Sequence, residues 1–281
     1  MEDIETGSFA GGSFASGRSE VLRIVSWNIN RGLQLNAVID FLADSSADLI
    51  LLQEADIHAH RSHWRNTPRE IAQALQMNYV FGREFEELGQ GLASASAYHG
   101  QATISRFPIS HPRLLRFSCQ SAFWRPRWYI PRLQVFQRRL GARMVLICEI
   151  RIEGKALISY NAHLESRGSD ELRANQLGEI LTEVGRKPPE MDVLVAGDFN
   201  FNISREPFAS LIANNELNSP LIQLSGRPTA RGRDGKDAAI DWILTGKRLV
   251  ISKLQIHNAV DASDHYPVSF QIEFRGIGPA E

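Results

Sequence analysis

Five apolar runs in this sequence each end in a cluster of oxygen- and nitrogen-bearing side chains. They are Ser26-Trp27-Asn28, Leu52-Gln53-Glu54, Asn161-Ala162-His163, Gly197-Asp198-Phe199-Asn200 and Ser263-Asp264-His265. Each alone has an ordinary structural reading. Asn28 serves as a turn residue or helix cap, Glu54 as a solvated carboxylate, His163 as a satisfied core histidine, Asp198 as a turn aspartate. Carboxylates and amides are costly when buried without partners. Gathered at one edge of packed sheets, these strand ends would form a polar cleft able to hold a metal.

The residue types fit hydrolysis of a phosphate ester. A hard cation such as Mg²⁺ takes oxygen ligands and keeps several waters, so one or two carboxylates suffice. Glu54 and Asp264 fit that need. Hydrolysis requires a water held in line with the leaving oxygen and relieved of a proton. Asp198 and Asn200 lie two apart, and in an extended segment they point the same way. Charge accumulating on the phosphoryl oxygens calls for donors, which His163, His265 and Asn200 can supply. His265 serves best protonated and needs a carboxylate partner. Asp241, in Ala239-Ile240-Asp241-Trp242-Ile243, is the candidate.

The elements that must place these residues alternate between two kinds. Val21–Trp27, Leu49–Leu52, Ala102–Ser105, Met144–Ile152, Ala156–His163, Val193–Ala196, Ile240–Leu244, Leu249–His257 and Pro267–Phe274 read as strands. Gly154 sits in a tight link and predicts a hairpin. Leu35, Val38, Ile39 and Leu42 share one helical face, as do Leu177, Ile180, Leu181 and Val184. Arg205–Asn214 is expected to be helical. Thr67-Pro68-Arg69-Glu70 predicts a helix start with Thr67 as N-cap and Glu70 closing a capping box. Hairpins mixed with helical crossovers argue for packed sheets with helices outside.

Bulk properties exclude several classes. The chain has 281 residues, 43% hydrophobic and 22% charged, with net charge −1. No global positive field draws it to nucleic acid, so such a substrate would need a local basic patch. Cys119 and Cys148 form neither a CxxC pair nor a zinc spacing, and no disulfide is expected. No signal peptide or membrane span is visible. We expect a monomeric cytoplasmic protein. Residues 1–20 should be a loose tail, 21–275 one domain, and 276–281 a C-terminal tail.

Seven blocks together resemble the ordered motifs of the endonuclease/exonuclease/phosphatase superfamily. They are Ser26-Trp27-Asn28-Ile29-Asn30, Leu52-Gln53-Glu54-Ala55-Asp56, Tyr98-His99-Gly100-Gln101-Ala102 with Ile104-Ser105-Arg106-Phe107-Pro108-Ile109, Asn161-Ala162-His163-Leu164, Gly197-Asp198-Phe199-Asn200, Ile240-Asp241-Trp242-Ile243 and Ser263-Asp264-His265-Tyr266-Pro267. The resemblance implies a four-layered αββα sandwich, two mixed sheets flanked by helices. It implies one or two Mg²⁺ or Mn²⁺ ions at the strand ends, with Asn28, Glu54 and Asp264 on the metal side. Tyr98 and His163 match phosphate-contacting positions. Asp198 and Asn200 match the pair that positions the water and the phosphate. Asp241 matches the support of His265. Either Asp198 or His265 takes the water's proton.

Two features depart from that pattern. Gln101 stands where generic bacterial members often carry asparagine. Residues 119–138 resemble an insertion that interleaves Trp124, Arg125, Arg127, Trp128 and Tyr129, a set that could hold phosphate, stack on bases or meet a lipid interface. The expected activity is hydrolysis of a phosphodiester, with nucleic acid among the candidate substrates. The alternative is a lipid head-group or inositol phosphate. A binding protein without turnover is disfavoured, because every expected catalytic position holds a competent residue type.

Overall fold

The computed structural model describes residues 3–11, 21–121, 129–131, 134–188, 191–215, 217–219, 221, 226–232 and 237–274. In chain order the elements are β1 (Ile4–Ser8), β2 (Val21–Asn28), α1 (Leu35–Ser45), β3 (Leu49–Ile57), α2 (Thr67–Leu75), β4 (Asn78–Leu92), β5 (Ala95–Ser105), β6 (Ile109–Arg116), β7 (Arg139–Gly141), β8 (Met144–Ile152), β9 (Lys155–His163), α3 (Asp170–Gly185), β10 (Asp192–Asp198), α4 (Phe208–Asn214), β11 (Asp241–Thr245), β12 (Leu249–Ile256) and β13 (Val268–Phe274).

One sheet runs β1-β4-β5-β3-β2-β13-β12, with β7 also beside β4; the other runs β11-β10-β9-β8-β6. The parallel pairs β2–β3 and β9–β10 are each joined by a helical crossover, α1 and α3. Side-chain alternation then builds the layers. Leu22, Ile24, Leu49 and Leu51 join one buried cluster with Leu146 and Cys148 of β8 and Leu177, Ile180 and Phe208 of the second helical layer. Their neighbours Val25, Trp27, Ile50 and Leu52 join another with Leu35, Val38 and Leu42 of α1 and Ile71 and Ala72 of α2. Helix, sheet, sheet and helix stack as the expected αββα sandwich.

Buried amides tie the two sheets together. Gln53 Nε2 donates to Asn161 Oδ1 at 2.7 Å, and Asn161 Nδ2 donates to the carbonyls of Leu52 and Ala102 at 3.0 and 2.9 Å. Gln101 Nε2 reaches across to Met144 O at 3.1 Å. The extra methylene of Gln101 therefore acts between the sheets.

Several local expectations need correction. Residues Ile4–Ser8, placed in a loose tail, form β1 along the edge of β4. Glu5 anchors them, accepting from Asn66 Nδ2 at 2.8 Å and Tyr79 Oη at 2.9 Å. A short run with no strong pattern is held by an edge that has unpaired backbone to offer. Residues 1–2 and 12–20 of the expected N-terminal tail, and the whole expected C-terminal tail, 276–281, lie outside the described residues.

The cap of α2 is Asn66, whose side chain accepts from Arg69 N at 3.1 Å. Thr67 Oγ1 is committed elsewhere, donating to Asp56 O at 2.8 Å and accepting from Asp56 N at 3.1 Å. Glu70 pairs with Arg65. The capping box is absent because both its side chains have tertiary partners. The helix α4 begins at Phe208 rather than Arg205, and β4, β6 and β7 were not foreseen.

Candidate active site

Both sheets deliver their polar strand ends to one cleft of about 760 Å³. Asn28 ends β2 and Glu54 lies in β3. Asp264 and His265 precede β13, stitched to β2 by two bonds: Ser263 Oγ donates to Asn28 O at 2.7 Å, and Trp27 Nε1 to His265 O at 2.8 Å. From the second sheet, Asp198 ends β10 in register between His163 of β9 and Asp241 of β11. Gly197, at φ +144, sits so close to Ala162 O that no β-carbon would fit. The strands are thus tightly opposed beside Asp198.

Asp198 is the hub. Its Oδ2 accepts from Asn28 Nδ2 at 3.1 Å and lies 3.6 Å from both His163 Nε2 and His265 Nε2. Its Oδ1 accepts from Asn200 N at 2.9 Å. Asn200 has φ +57, so the segment turns back instead of running extended. The expected same-side pair is therefore an Asx-type turn. Asn200 Nδ2 spends one hydrogen on Leu164 O at 3.1 Å, and an amide nitrogen carries two.

The charges are set by burial and neighbours. Burial raises the Asp198 carboxyl to about 7 against the pull of His265, with Asp241 adding to the rise. Burial alone would lower His265, but Asp241, then Asp198 and Asp264, outweigh it and raise the imidazole to about 10. His163 is the opposite case. Burial, then the Arg143 guanidinium, holds it well below the usual histidine range. Arg143 Nη1 donates to His163 Nδ1 at 3.0 Å, leaving the ring proton on Nε2, toward Asp198.

Glu54 adopts φ +52 at an irregularity in the β3–β5 pairing between Leu52 and Ala55. Backbone in this region is unusual for a residue with a side chain and tends to occur at functional sites. Burial would raise the Glu54 carboxyl, but Arg31, His99, Arg143 and His265 together hold it near 2. Arg31 Nη2 is 3.2 Å from its Oε2.

One group of side chains among the described residues comes close enough together to share a cation. Asp198, Asp241 and His265 can place one ligand atom each within 4.8 Å of the others. Yet both oxygens of Asp241 are engaged with His265 Nδ1, at 3.1 and 2.9 Å. The oxygen donors Glu54, Asp264 and Asn28 suit a hard cation better. Asn28 Oδ1 already accepts from Asn30 N at 3.0 Å and retains one lone pair.

Tyr98, expected near the phosphate, is elsewhere. It packs in the cluster beneath α1 and α2, with the Arg83 guanidinium 5.1 Å from its ring centre. Its neighbour His99 lines the cleft. Successive residues of a strand face opposite ways, so only one of the pair can. Trp124, Arg125, Arg127 and Trp128 lie outside the described residues.

A charge network in the wall of the cleft was not foreseen. Asp56, fully buried, receives Arg61 in a two-pronged contact at 2.7 and 2.9 Å, and its Oδ1 is 2.7 Å from His99 Nδ1. Arg61 and Arg139 both reach Glu87, at 3.1 and 2.6 Å. Glu84 accepts from Arg143 at 2.8 Å. Arg31, Arg61, Arg138, Arg139, Arg143, Arg167 and Arg231 all line the cleft. Asp56, two residues after Glu54 in an apolar strand, was the visible signal. Its contact with His99, 43 residues on, was not readable from spacing.

Comparison with known proteins then decides the family. Residues 25–265 match the sequence profile of the Endonuclease/Exonuclease/phosphatase family. The chain belongs to that family. Its members are hydrolases acting on phosphate esters and are generally dependent on a divalent metal. The chain is 28% identical over 180 residues to the uncharacterized protein YbhP of Escherichia coli K12, covering 61% of this chain and 60% of that protein. It thus spans about three fifths of the curated relatives it matches.

Among solved structures, an endonuclease/exonuclease/phosphatase protein from Beutenbergia cavernae superposes with TM-score 0.68 at 18% identity, over 92% of this chain and 73% of the other. A mannosyl-6-phosphatase of Bacteroides thetaiotaomicron gives 0.62 at 15% identity, over 90% and 100%. At such identities these structures establish the shared fold.

Proposed function

We propose that this chain is a divalent-metal-dependent phosphodiester hydrolase. The observation that carries the reading is the convergence on Asp198 Oδ2 of Asn28 Nδ2, His163 Nε2 and His265 Nε2, with Asp241 behind His265. Glu54, Asp264 and Asn28 would hold Mg²⁺ or Mn²⁺, which supplies positive charge to polarise the scissile P–O bond. His163, neutral with its proton on Nε2, donates to a phosphoryl oxygen. Asn200 offers its second amide hydrogen. His265, charged and backed by Asp241, opposes the negative charge that grows in the transition state.

Asp198 is the better base of the two candidates, because His265 held protonated cannot accept. Water attacks phosphorus and passes a proton to Asp198 while the bond to the leaving oxygen breaks. Free thiols at Cys119 and Cys148 support the expected cytoplasmic, reducing compartment. No helix among the described residues is long and apolar enough to cross a membrane.

The test is hydrolysis of bis-p-nitrophenyl phosphate, DNA, RNA and inositol phosphates with Mg²⁺ or Mn²⁺. Asp198→Asn keeps the shape and should lower kcat by roughly 10² to 10⁴. Near-parental turnover with normal metal binding would overturn the role of Asp198.

A further inference from the structure

Two histidines flank Asp198, and they carry opposite partners. His265 Nδ1 faces the carboxylate of Asp241, at 2.9 and 3.1 Å. His163 Nδ1 faces a guanidinium, with Arg143 Nη1 at 3.0 Å. Glu84 Oε2 stands 3.8 Å from the same nitrogen, beyond hydrogen-bond reach. The bond from His163 therefore runs to Arg143 and not to the acid behind it.

A guanidinium carries five donor hydrogens and no acceptor, and it keeps its charge wherever a protein stays folded. His163 Nδ1 must then accept, which puts the ring hydrogen on Nε2. A carboxylate partner does the reverse. It draws a hydrogen to Nδ1 and leaves Nε2 free to take up and release another.

Arg143 is held from several sides. It lies between β7 and β8 and is 3% exposed. Nη1 also donates to Glu84 Oε1 at 2.8 Å, and Nη2 donates to Ser166 Oγ at 3.0 Å. Its backbone N donates to Gln120 Oε1 at 2.9 Å, and its carbonyl accepts from Phe117 N at 3.1 Å. Two residues earlier, Gly141 at φ +144 lies so close to Glu84 O that a β-carbon would collide. The missing side chain lets the turn close on β4. His163 Nε2 is 3.6 Å from Asp198 Oδ2, too long for a bond, and the ring lines the cleft. Glu84 and Asp198 face the ring from β4 and β10, while His99, His265 and Arg31 share the cleft with it.

We propose that Arg143 is a positioning residue of the reaction. It locks His163 as a hydrogen-bond donor to a phosphoryl oxygen and bars it from acting as general acid on the leaving group. The use of that donor rests on the hydrolase reading above; the lock does not. The ring keeps its Nε2 hydrogen throughout the step. It opposes charge on oxygen, and the leaving oxygen departs without a proton from it.

The experiment begins with proton–nitrogen correlation spectra of the full chain labelled with ¹⁵N-histidine, without metal or substrate. The His163 signals are those lost in His163→Gln. In the wild type they should report a neutral ring with its hydrogen on Nε2, still neutral at about pH 6, below the ordinary histidine value of ~6.5. In Arg143→Met the ring should gain a second proton there. Aryl phosphodiesters of graded leaving-group acidity give the second readout. Arg143→Met should lower kcat by about 10- to 10²-fold, by one factor for every ester, with KM changed less. Arg143→Lys, which keeps a charged donor, should recover part of that loss. A wild-type ring hydrogen on Nδ1 overturns the lock. A loss that grows as the leaving group becomes poorer makes His163 the acid and overturns the donor role. Unchanged kcat with a lowered melting temperature makes Arg143 structural only. If Arg143→Met does not fold, the wild-type spectrum and Arg143→Lys decide. A wild type that cleaves no phosphate ester overturns the hydrolase reading, while a ring hydrogen on Nε2 still upholds the lock.

Discussion

His265 Nδ1 lies 2.9 and 3.1 Å from the two carboxylate oxygens of Asp241, while its Nε2 stands 3.6 Å from Asp198. One acid fixes the ring and its charge; the other faces the working nitrogen. Asp241 is buried and does not line the cleft, so it acts through His265.

Replacing Asp241 with asparagine tests that division of labour. The imidazole loses the charge that keeps it protonated. Turnover should fall by roughly 10² or more, with KM changed far less. Equal loss of kcat in an Asp241→Asn/His265→Gln double variant and in either single variant would show the two act as one unit. Full additivity of the single losses would show that they act separately.

The metal assignment makes a separate claim. Glu54→Gln should raise the Mg²⁺ concentration needed for half-maximal activity by tenfold or more, roughly the loss of one charged ligand. Chelators selective for zinc should leave the wild type untouched, since the proposed donors are all oxygens. Full activity in EDTA without added metal would refute the whole mechanism.

A pH measurement follows from His163. Burial and Arg143 keep its folded form neutral, whereas in the unfolded chain it takes a proton as pH falls through about 6.5. Its folded value is depressed, so its contribution to stability is present above about 6.5 and lost below, by ~1.4 kcal/mol per pH unit. His163→Asn keeps an acceptor for Arg143 and removes the titration. Denaturant melts between about pH 6 and pH 5 should show a stability slope shallower by that amount. An unchanged slope would mean His163 is protonated in the folded state.

Gln101 should matter to stability and not to chemistry. Its amide bridges the sheets to Met144 O, and asparagine is one methylene too short. Gln101→Asn leaves a buried carbonyl without its donor, a loss of about 1–2 kcal/mol. Thermal unfolding should report a drop of roughly 2 to 8 °C with kcat unchanged. A fall in kcat with no change in melting would instead assign Gln101 to the site.

Much of the site was legible because it sits at strand ends. Asn28, Glu54, His163, Asp198, Asp241, Asp264 and His265 each close or flank an apolar run, and a run of that kind announces its own boundary. The orientation of Tyr98 and His99 was not legible. Their facing depends on irregularities in the β3–β5 and β4–β5 pairings, near Ala55 and Phe85, and such bulges leave little trace in composition.

The arginines were hidden for another reason. Arg139 and Arg143 find their acids on a strand more than fifty residues away, where local spacing says nothing, and Arg61, five residues from Asp56, reaches it across a turn that no helical or strand period announces. Strand β4 escaped notice because Glu84, Glu86 and Glu87 break the apolar pattern, and two of those acids are buried only by virtue of their cations.

The candidate site is divided between two plates. Asn28, Glu54, Asp264 and His265 travel with the first sheet, His163, Asp198, Asn200 and Asp241 with the second. The amides of Gln53 and Asn161 pin one plate to the other beside these strand ends. A slide of about one ångström between the plates would leave every strand intact while pulling His265 away from Asp198. The amide ties deep in the sandwich thus work as a vernier, setting from a distance the gap at which the two halves of the chemistry meet.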